Sequence, residues 1–140
     1  MTRDQIAAMF ERRRAAYERQ DAAALAGDYA VDCVVESPSG GTHHGQAAAE
    51  QVLRVVFDAL DVKLHQQSVI IDGDAVAQVV RIDGQDVGLF LGLAPTGKSF
   101  RVPGVFLYDL QDGRIVRERR IYDFTGLLIQ IGLLKAKPAD

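Results

Sequence analysis

The sequence predicts an α+β fold in which helices wrap a curved, mainly antiparallel sheet around a pocket. Three observations predict it. Apolar residues recur at helical spacing through most of residues 3–60. From Val62 to Tyr122 the period becomes that of strands, punctuated by Asp72-Gly73-Asp74 and Gln111-Asp112-Gly113. After Asp123 the pattern returns to a short apolar helix. Helices first, strands next and one helix last is an α+β plan rather than an alternating one. No repeat, linker or low-complexity tract breaks the chain, so residues 1–140 read as one domain.

The first helix covers residues 3–19, with Ile6, Met9, Phe10, Ala16 and Tyr17 on one face. Arg12-Arg13-Arg14 lies within it and reads as a solvated face. Asp21 is a good N-cap for a second helix reaching about Tyr29. Cys33–Glu36 reads as a strand, stopped by the turn Ser37-Pro38-Ser39-Gly40-Gly41. A third helix follows Gly45, with Val52, Val55, Val56, Ala59 and Leu60 facing inward. The strands expected next are Val62–Ile71, Ala75–Ile82, Val87–Leu93, Phe100–Leu110 and Arg114–Tyr122. Pro103 places a bulge or an edge in its strand. Thr125 can cap the last helix, where Leu127, Leu128, Ile131 and Leu134 repeat.

Composition narrows the functional classes. A formal net charge of −3 argues against a phosphate-backbone binder, so no nucleic-acid partner is expected. No apolar run reaches membrane-spanning length, and the N-terminal residues do not form a secretory signal, so a cytoplasmic protein is expected. Cys33 is the single cysteine and reads as a buried structural thiol. Gly92-Leu93-Ala94-Pro95-Thr96-Gly97-Lys98-Ser99 matches a phosphate-binding loop by letter. That chemistry needs a helix N-terminus behind the loop, and Phe100-Arg101-Val102-Pro103 reads as strand. His43-His44 are adjacent and point opposite ways, which suits loop histidines near a pocket mouth better than a chelate. No cofactor and no metal is expected.

Asp123 carries the sharper expectation. It ends a strand and is flanked by Tyr122, Phe124 and an apolar helix. Enclosure there would raise its pKa and make it a proton carrier. The plainer alternative is an acid stabilised by the dipole of the helix it opens. Arg119 shares strand parity with Asp123, so both could face the pocket, where an arginine can hold a carboxylate or enolate oxygen. Phe100, Val102, Gly104, Phe106, Tyr108 and Leu110 share one face as an apolar wall. Tyr17, Tyr29 and Tyr108 join Arg119 as candidates to orient a substrate.

These C-terminal patterns also resemble a known family. They are Gly84-x-x-Val87-Gly88-x-x-x-Gly92-x-x-Pro95-Thr96-Gly97-Lys98-x-Phe100, then Asp112-Gly113-Arg114-Ile115, then Asp123-Phe124-x-Gly126-x-Leu128-x-Gln130-x-Gly132. Together they resemble the SnoaL-like polyketide cyclases, a branch of the nuclear transport factor 2-like superfamily, whose fold is a cone-shaped α+β roll. The resemblance implies that Asp123 is the general acid/base. Two family histidines are replaced, by Phe106 and Asp86. Val35-Glu36-Ser37-Pro38 is similar to ketosteroid isomerases, but Ser37 stands where their catalytic aspartate falls. Limonene epoxide hydrolases use an Asp-Arg-Asp set, of which only the Asp123 position is kept, with Val87 and Leu89 at the others.

The expected function is therefore a small cofactor-independent enzyme, cyclising or isomerising an apolar, carbonyl-bearing molecule with Asp123 as proton carrier. The rival is a ligand-binding or dimerisation module of the same shape. A homodimer is expected through the outer sheet face, where Val79, Val105 and Leu107 share parity with Arg81, Arg101 and Asp109.

Overall fold

A computed structural model of the chain describes residues 1–135 and 137–139. Helix α1 (Arg3–Glu18) opens with a capping box. Gln5 N–H donates to Thr2 Oγ1 at 3.1 Å, and Thr2 N–H donates to Gln5 Oε1 at 2.8 Å. Helix α2 (Ala22–Ala26) is capped by Asp21, whose carboxylate accepts from Ala24 N–H. It stops short of Tyr29, which instead opens β1 (Tyr29–Ser37) beside Ile115. The histidine pair lies in a short strand, β2 (Gly41–His44), rather than a loop.

Helix α3 (Gln46–Leu60) buries Ala49, Leu53, Phe57, Ala59 and Leu60. Its inward face is thus rotated from the expected one: Val55 is 49% exposed, and Val52 and Val56 are half-buried. Strands β3 (Lys63–Asp72), β4 (Ala75–Gln85), β5 (Ser99–Gln111) and β6 (Arg114–Tyr122) follow, then helix α4 (Phe124–Gln130). The six-stranded curved sheet runs β2-β1-β6-β5-β4-β3. Its pairings are antiparallel except β1 with β6. Helix α1 lies against β3, and α3 against β1. No described helix is long and apolar enough to cross a membrane.

Val87–Leu93 is not a strand. It forms a loop around a short 3-10 turn, Phe90–Gly92, with Leu89 and Leu91 in the left-handed region at φ 44° and 55°. β4 already lies between β3 and β5, so the alternating Val87, Leu89, Leu91 and Leu93 find no partner and are exposed. The loop is closed at its base: buried Asp86 accepts from Thr96 N–H at 2.9 Å, and Gly97 N–H donates to the Asp86 carbonyl at 2.9 Å. The stretch that resembles a phosphate-binding loop runs through this closure into β5, with no helix behind it.

Pro103 sits where β5 has lost one neighbour. The β5–β6 ladder ends at Gly104–Tyr122. Beyond it, Arg101 N–H donates sideways to Gln130 Oε1 at 2.7 Å. Two residues on, Pro103 N points the same way, where no strand needs a donor.

The glycines of the C-terminal pattern also find a cause. Gly84 and Gly88 pass under the end of α3, where a Cβ would lie 2.5 Å from the Leu60 carbonyl and 2.7 Å from the Asp58 carbonyl respectively. At Gly84 it would also meet the Phe100 ring. Gly84→Ala should therefore destabilise the protein by about 1–3 kcal/mol, read as a lower urea midpoint with unchanged slope. An unchanged midpoint would mean that α3 does not seal the sheet here.

Candidate functional site

Helices α3 and α4 and the concave sheet face enclose a chamber of about 50 Å³. Its apolar wall includes Leu53 and Leu60 from α3, Ile82, Phe100 and Phe106 from the sheet, and Leu127 from α4. Its polar groups are Tyr17, Ser37, Arg120 and Tyr122.

A single bulge decides which β6 residues enter. Gln111 pairs with Arg114 and Leu110 with Ile115, but Asp109 then pairs with Arg117, so Val116 is left over. From there the ladder runs Tyr108–Glu118, Phe106–Arg120 and Gly104–Tyr122. Directly opposed residues share a face, so Glu118, Arg120 and Tyr122 join the apolar wall. Without the bulge, Arg119 would stand opposite Phe106. With it, every later side chain changes face. Arg119 and Asp123 do share parity, but on the outer side, and both are exposed.

Asp123 is thus not enclosed. It is the N-cap of α4, accepting from Gly126 N–H at 2.9 Å. The cap belongs to Asp123 and not to Thr125. A Cβ at Gly126 would fall within the Asp123 carboxylate as it stands, so a side chain there would displace the cap. The Asp-Phe-x-Gly pattern is therefore accounted for locally as a helix-capping device.

The chamber's charged end is a buried network that the sequence reading missed. Arg120 Nε donates to Glu118 Oε2 at 2.9 Å, and Tyr29 OH donates to the same oxygen at 3.0 Å. Arg13 Nη2 donates to Tyr29 OH at 3.1 Å, while its Nη1 reaches the Leu25 carbonyl at 2.8 Å and Asp28 Oδ2 at 3.1 Å. Arg13 is 1% exposed and Glu118 fully buried. The middle arginine of the Arg12-Arg13-Arg14 run is therefore a core residue and not part of a solvated face. Its i−3, i−4 and i+3, i+4 neighbours Phe10, Met9, Ala16 and Tyr17 are all buried, and that helical phase was the available signal. Tyr108 stands beside the network and donates to Gln78 Oε1 at 3.1 Å.

Of the residues singled out from sequence, Tyr17 and Phe106 line the chamber. Tyr29 and Tyr108 do not; they stand behind its charged end with their hydroxyls committed. Arg120 takes the place foreseen for Arg119.

Burial works against the charge on Arg13 and Arg120. The phenol oxygens around them and the Glu118 carboxylate outweigh it, holding both guanidiniums well above their ordinary pKa. Burial pushes the Tyr17 hydroxyl up as well, against the pull of Arg120, so it stays a neutral donor near pH 7. That hydroxyl makes no hydrogen bond among the described residues. Arg120 Nη2 lies 2.9 Å from Glu118 Oε2 but outside hydrogen-bonding geometry, and is left unpartnered. The guanidinium is further held over the Phe106 ring, 5.9 Å from its centre.

Val56 lines the chamber and also an outer apolar groove of about 430 Å³. The groove runs between α3 and the leucine loop, past Val52, Val55, Leu89 and Leu91, with His43 at its edge. Cys33 is buried away from the chamber lining, and burial raises its thiol pKa. Among the described residues no cluster of three or more His, Cys, Asp or Glu side chains could hold a metal ion.

Comparison with known proteins agrees with this architecture. A sequence model of the SnoaL-like polyketide cyclase family matches residues 7–131. Among solved structures, a candidate polyketide cyclase from Xanthomonas campestris pv. campestris superposes with a TM-score of 0.85 at 22% identity, covering 93% of this chain and 98% of its own. TsrD from Streptomyces laurentii gives 0.83 at 22% identity, covering 96% and 99%. A protein with a ketosteroid isomerase-like fold from Catenulispora acidiphila, in complex with trimethylamine, gives 0.76 at 21% identity and covers 96% of each chain. At these identities the likeness is one of fold. No curated protein sequence matches the chain.

Proposed function

The chain belongs to the SnoaL-like polyketide cyclase family, and on that footing we propose that it is a small enzyme, independent of any cofactor, that moves a proton on an apolar, carbonyl-bearing molecule. The observation that carries this reading is the chamber itself: apolar walls, with the charge of Arg120 and the unpartnered hydroxyl of Tyr17 among its few polar groups. A carbonyl oxygen turned toward these donors becomes an enolate more readily, because the charge that develops meets preorganised donors in a dry site. Cyclisation and isomerisation both pass through such an enolate or its enol.

Asp123 is the candidate proton carrier. It follows Tyr122, which lines the chamber, and it caps α4, whose Leu127 closes it. A substrate carbon presented at the N-terminus of α4 would meet the free edge of its carboxylate. The test is deuterium exchange next to the carbonyl, followed by proton NMR across a panel of polycyclic ketones and lactones. Asp123→Asn should lower the exchange kcat about a hundredfold and keep the fold, since asparagine caps a helix as well as aspartate does. Full activity in a folded variant would place the proton carrier elsewhere. The exposure of Asp123 and its use as a cap favour the second reading, a binding module without chemistry. Its signature is saturable ketone binding with exchange no faster than in buffer.

We infer also that two copies pair through the outer sheet face, where Val79, Val105 and Leu107 are half-buried in the single chain beside Arg81, Arg101 and Asp109. Sedimentation equilibrium at micromolar concentration should give twice the 15.3 kDa chain mass; a single species at that mass would rule the dimer out.

A further inference from the structure

Among the polar groups lining the chamber, the uncommitted ones are donors, while Glu118 Oε1, on the residue paired with Arg120, is a buried acceptor without a partner among the described residues. Arg120 spends its Nε on Glu118 Oε2. Its Nη2 lies 2.9 Å from the same oxygen outside hydrogen-bonding geometry, and its Nη1 makes no hydrogen bond among the described residues. The edge of the guanidinium turned away from Glu118, between Nη1 and Nη2, is the planar fork that matches a carboxylate. The free hydroxyl of Tyr17 adds a further donor to the same chamber. The other polar linings are already engaged: Tyr122 OH donates to Ser39 Oγ at 3.0 Å, and Ser37 Oγ shares a hydrogen bond with Ser39 at 3.2 Å. A neutral carbonyl oxygen offers two lone pairs to these donors, whereas an ionised carboxylate offers about four.

Size supplies the rest. About 50 Å³ takes a few water-sized groups, such as a carboxylate and the carbon next to it, since about 10–15 Å³ of such space admits one water. Val56 is the side chain common to the chamber and the outer groove of about 430 Å³, so a body reaching from one to the other would have to displace it. Most of that groove's wall is apolar, including Val52, Val55, Leu89 and Leu91, but His43, whose Nε2 is buried without a partner among the described residues, Ser39 and Gln51 line it too.

We propose that the chamber and groove together bind an apolar monocarboxylic acid, its carboxylate on Arg120 and Tyr17 and its body under the leucine loop. This rests on the chamber being the ligand site, and it makes the oxygens held by Arg120 and Tyr17 those of an acid group in place of the ketone carbonyl.

Cinnamate and cinnamamide share a body and differ in charge, which makes them suitable probes. By calorimetric titration at pH 7.5, cinnamate should bind at least about tenfold more tightly than cinnamamide, as charge-assisted hydrogen bonds outweigh neutral ones. Glu118→Gln with Arg120→Met removes the opposite charges of that pair together, leaving Arg13 on Asp28, and should erase the difference while sparing cinnamamide. Arg119→Met, on the outer face, should preserve it. A measurement in the unaltered protein guards against misfolded variants: cinnamate, and not cinnamamide, should shift the Arg120 Nε–H resonance.

Equal affinities, no binding of cinnamate at millimolar concentration, or a preference surviving in the double variant would each overturn the proposal. 2-Tetralone, titrated in parallel, separates the two readings. Ketone binding and exchange without a preference for cinnamate would leave the carbonyl chemistry standing and remove the acid. A preference for cinnamate without ketone exchange would do the reverse.

Discussion

Arg13→Met should destabilise the protein by about 3–5 kcal/mol, the range for removing one partner from a buried ionic network. Methionine keeps much of the side-chain volume, so loss of charge and hydrogen bonds dominates over a cavity. The variant leaves the Leu25 carbonyl with only the longer bond from Asp28 N–H at 3.3 Å, and it removes the donor that fixes Tyr29, which in turn fixes Glu118. It also removes the cation lying 5.1 Å from the Tyr29 ring centre and 5.7 Å from that of Tyr108. The neighbours in sequence are the control. Arg12 is 59% exposed, and Arg14 pairs on the surface with Glu11 and Glu18. Alanine at either should leave the urea midpoint nearly unchanged, because water screens such pairs. Urea unfolding of the three variants decides the matter. Arg13→Met with the same midpoint as Arg12→Ala would mean that the network is not held together through α1.

The contrast shows where the sequence was legible. The order of elements follows from period and punctuation, and the Asp21 cap, the third helix after Gly45 and the hairpin at Asp72-Gly73-Asp74 all stand where those signals put them. The site was harder to read because it depends on register. Asp112-Gly113 predicts a regular hairpin, and a regular hairpin sends Arg119 inward. The extra residue at Val116 sends Arg120 inward instead, and composition does not mark a bulge of this kind. Val87–Leu93 misleads for a related reason. Its alternation is that of a strand, but both edges of β4 are already occupied. Asp123 was singled out correctly as a structural punctuation mark. Its flanking aromatics suggested enclosure, yet Tyr122 and Phe124 stack edge-on to each other, 6.1 Å apart, and leave the carboxylate outside.

Tyr17→Phe should lower kcat about a hundredfold on any ketone whose exchange the protein accelerates, the usual loss when one donor to a developing oxyanion is removed. The substitution is unusually clean here. The ring is held edge-on to Phe57, with centres 6.0 Å apart, and phenylalanine keeps that contact. The hydroxyl makes no hydrogen bond among the described residues, so the free protein loses none. Stability should therefore be nearly unchanged, since no hydrogen bond within the protein is lost. Binding of the ground-state ketone should weaken only modestly, because a neutral carbonyl gains less from a phenol than an enolate does. A large fall in kcat with a small change in KM separates stabilisation of charge from mere filling of space. If kcat falls by less than about threefold, Arg120 alone serves the developing oxygen charge. If instead KM rises with kcat constant, Tyr17 acts in the binding of the ground state and the oxyanion role assigned to it is wrong.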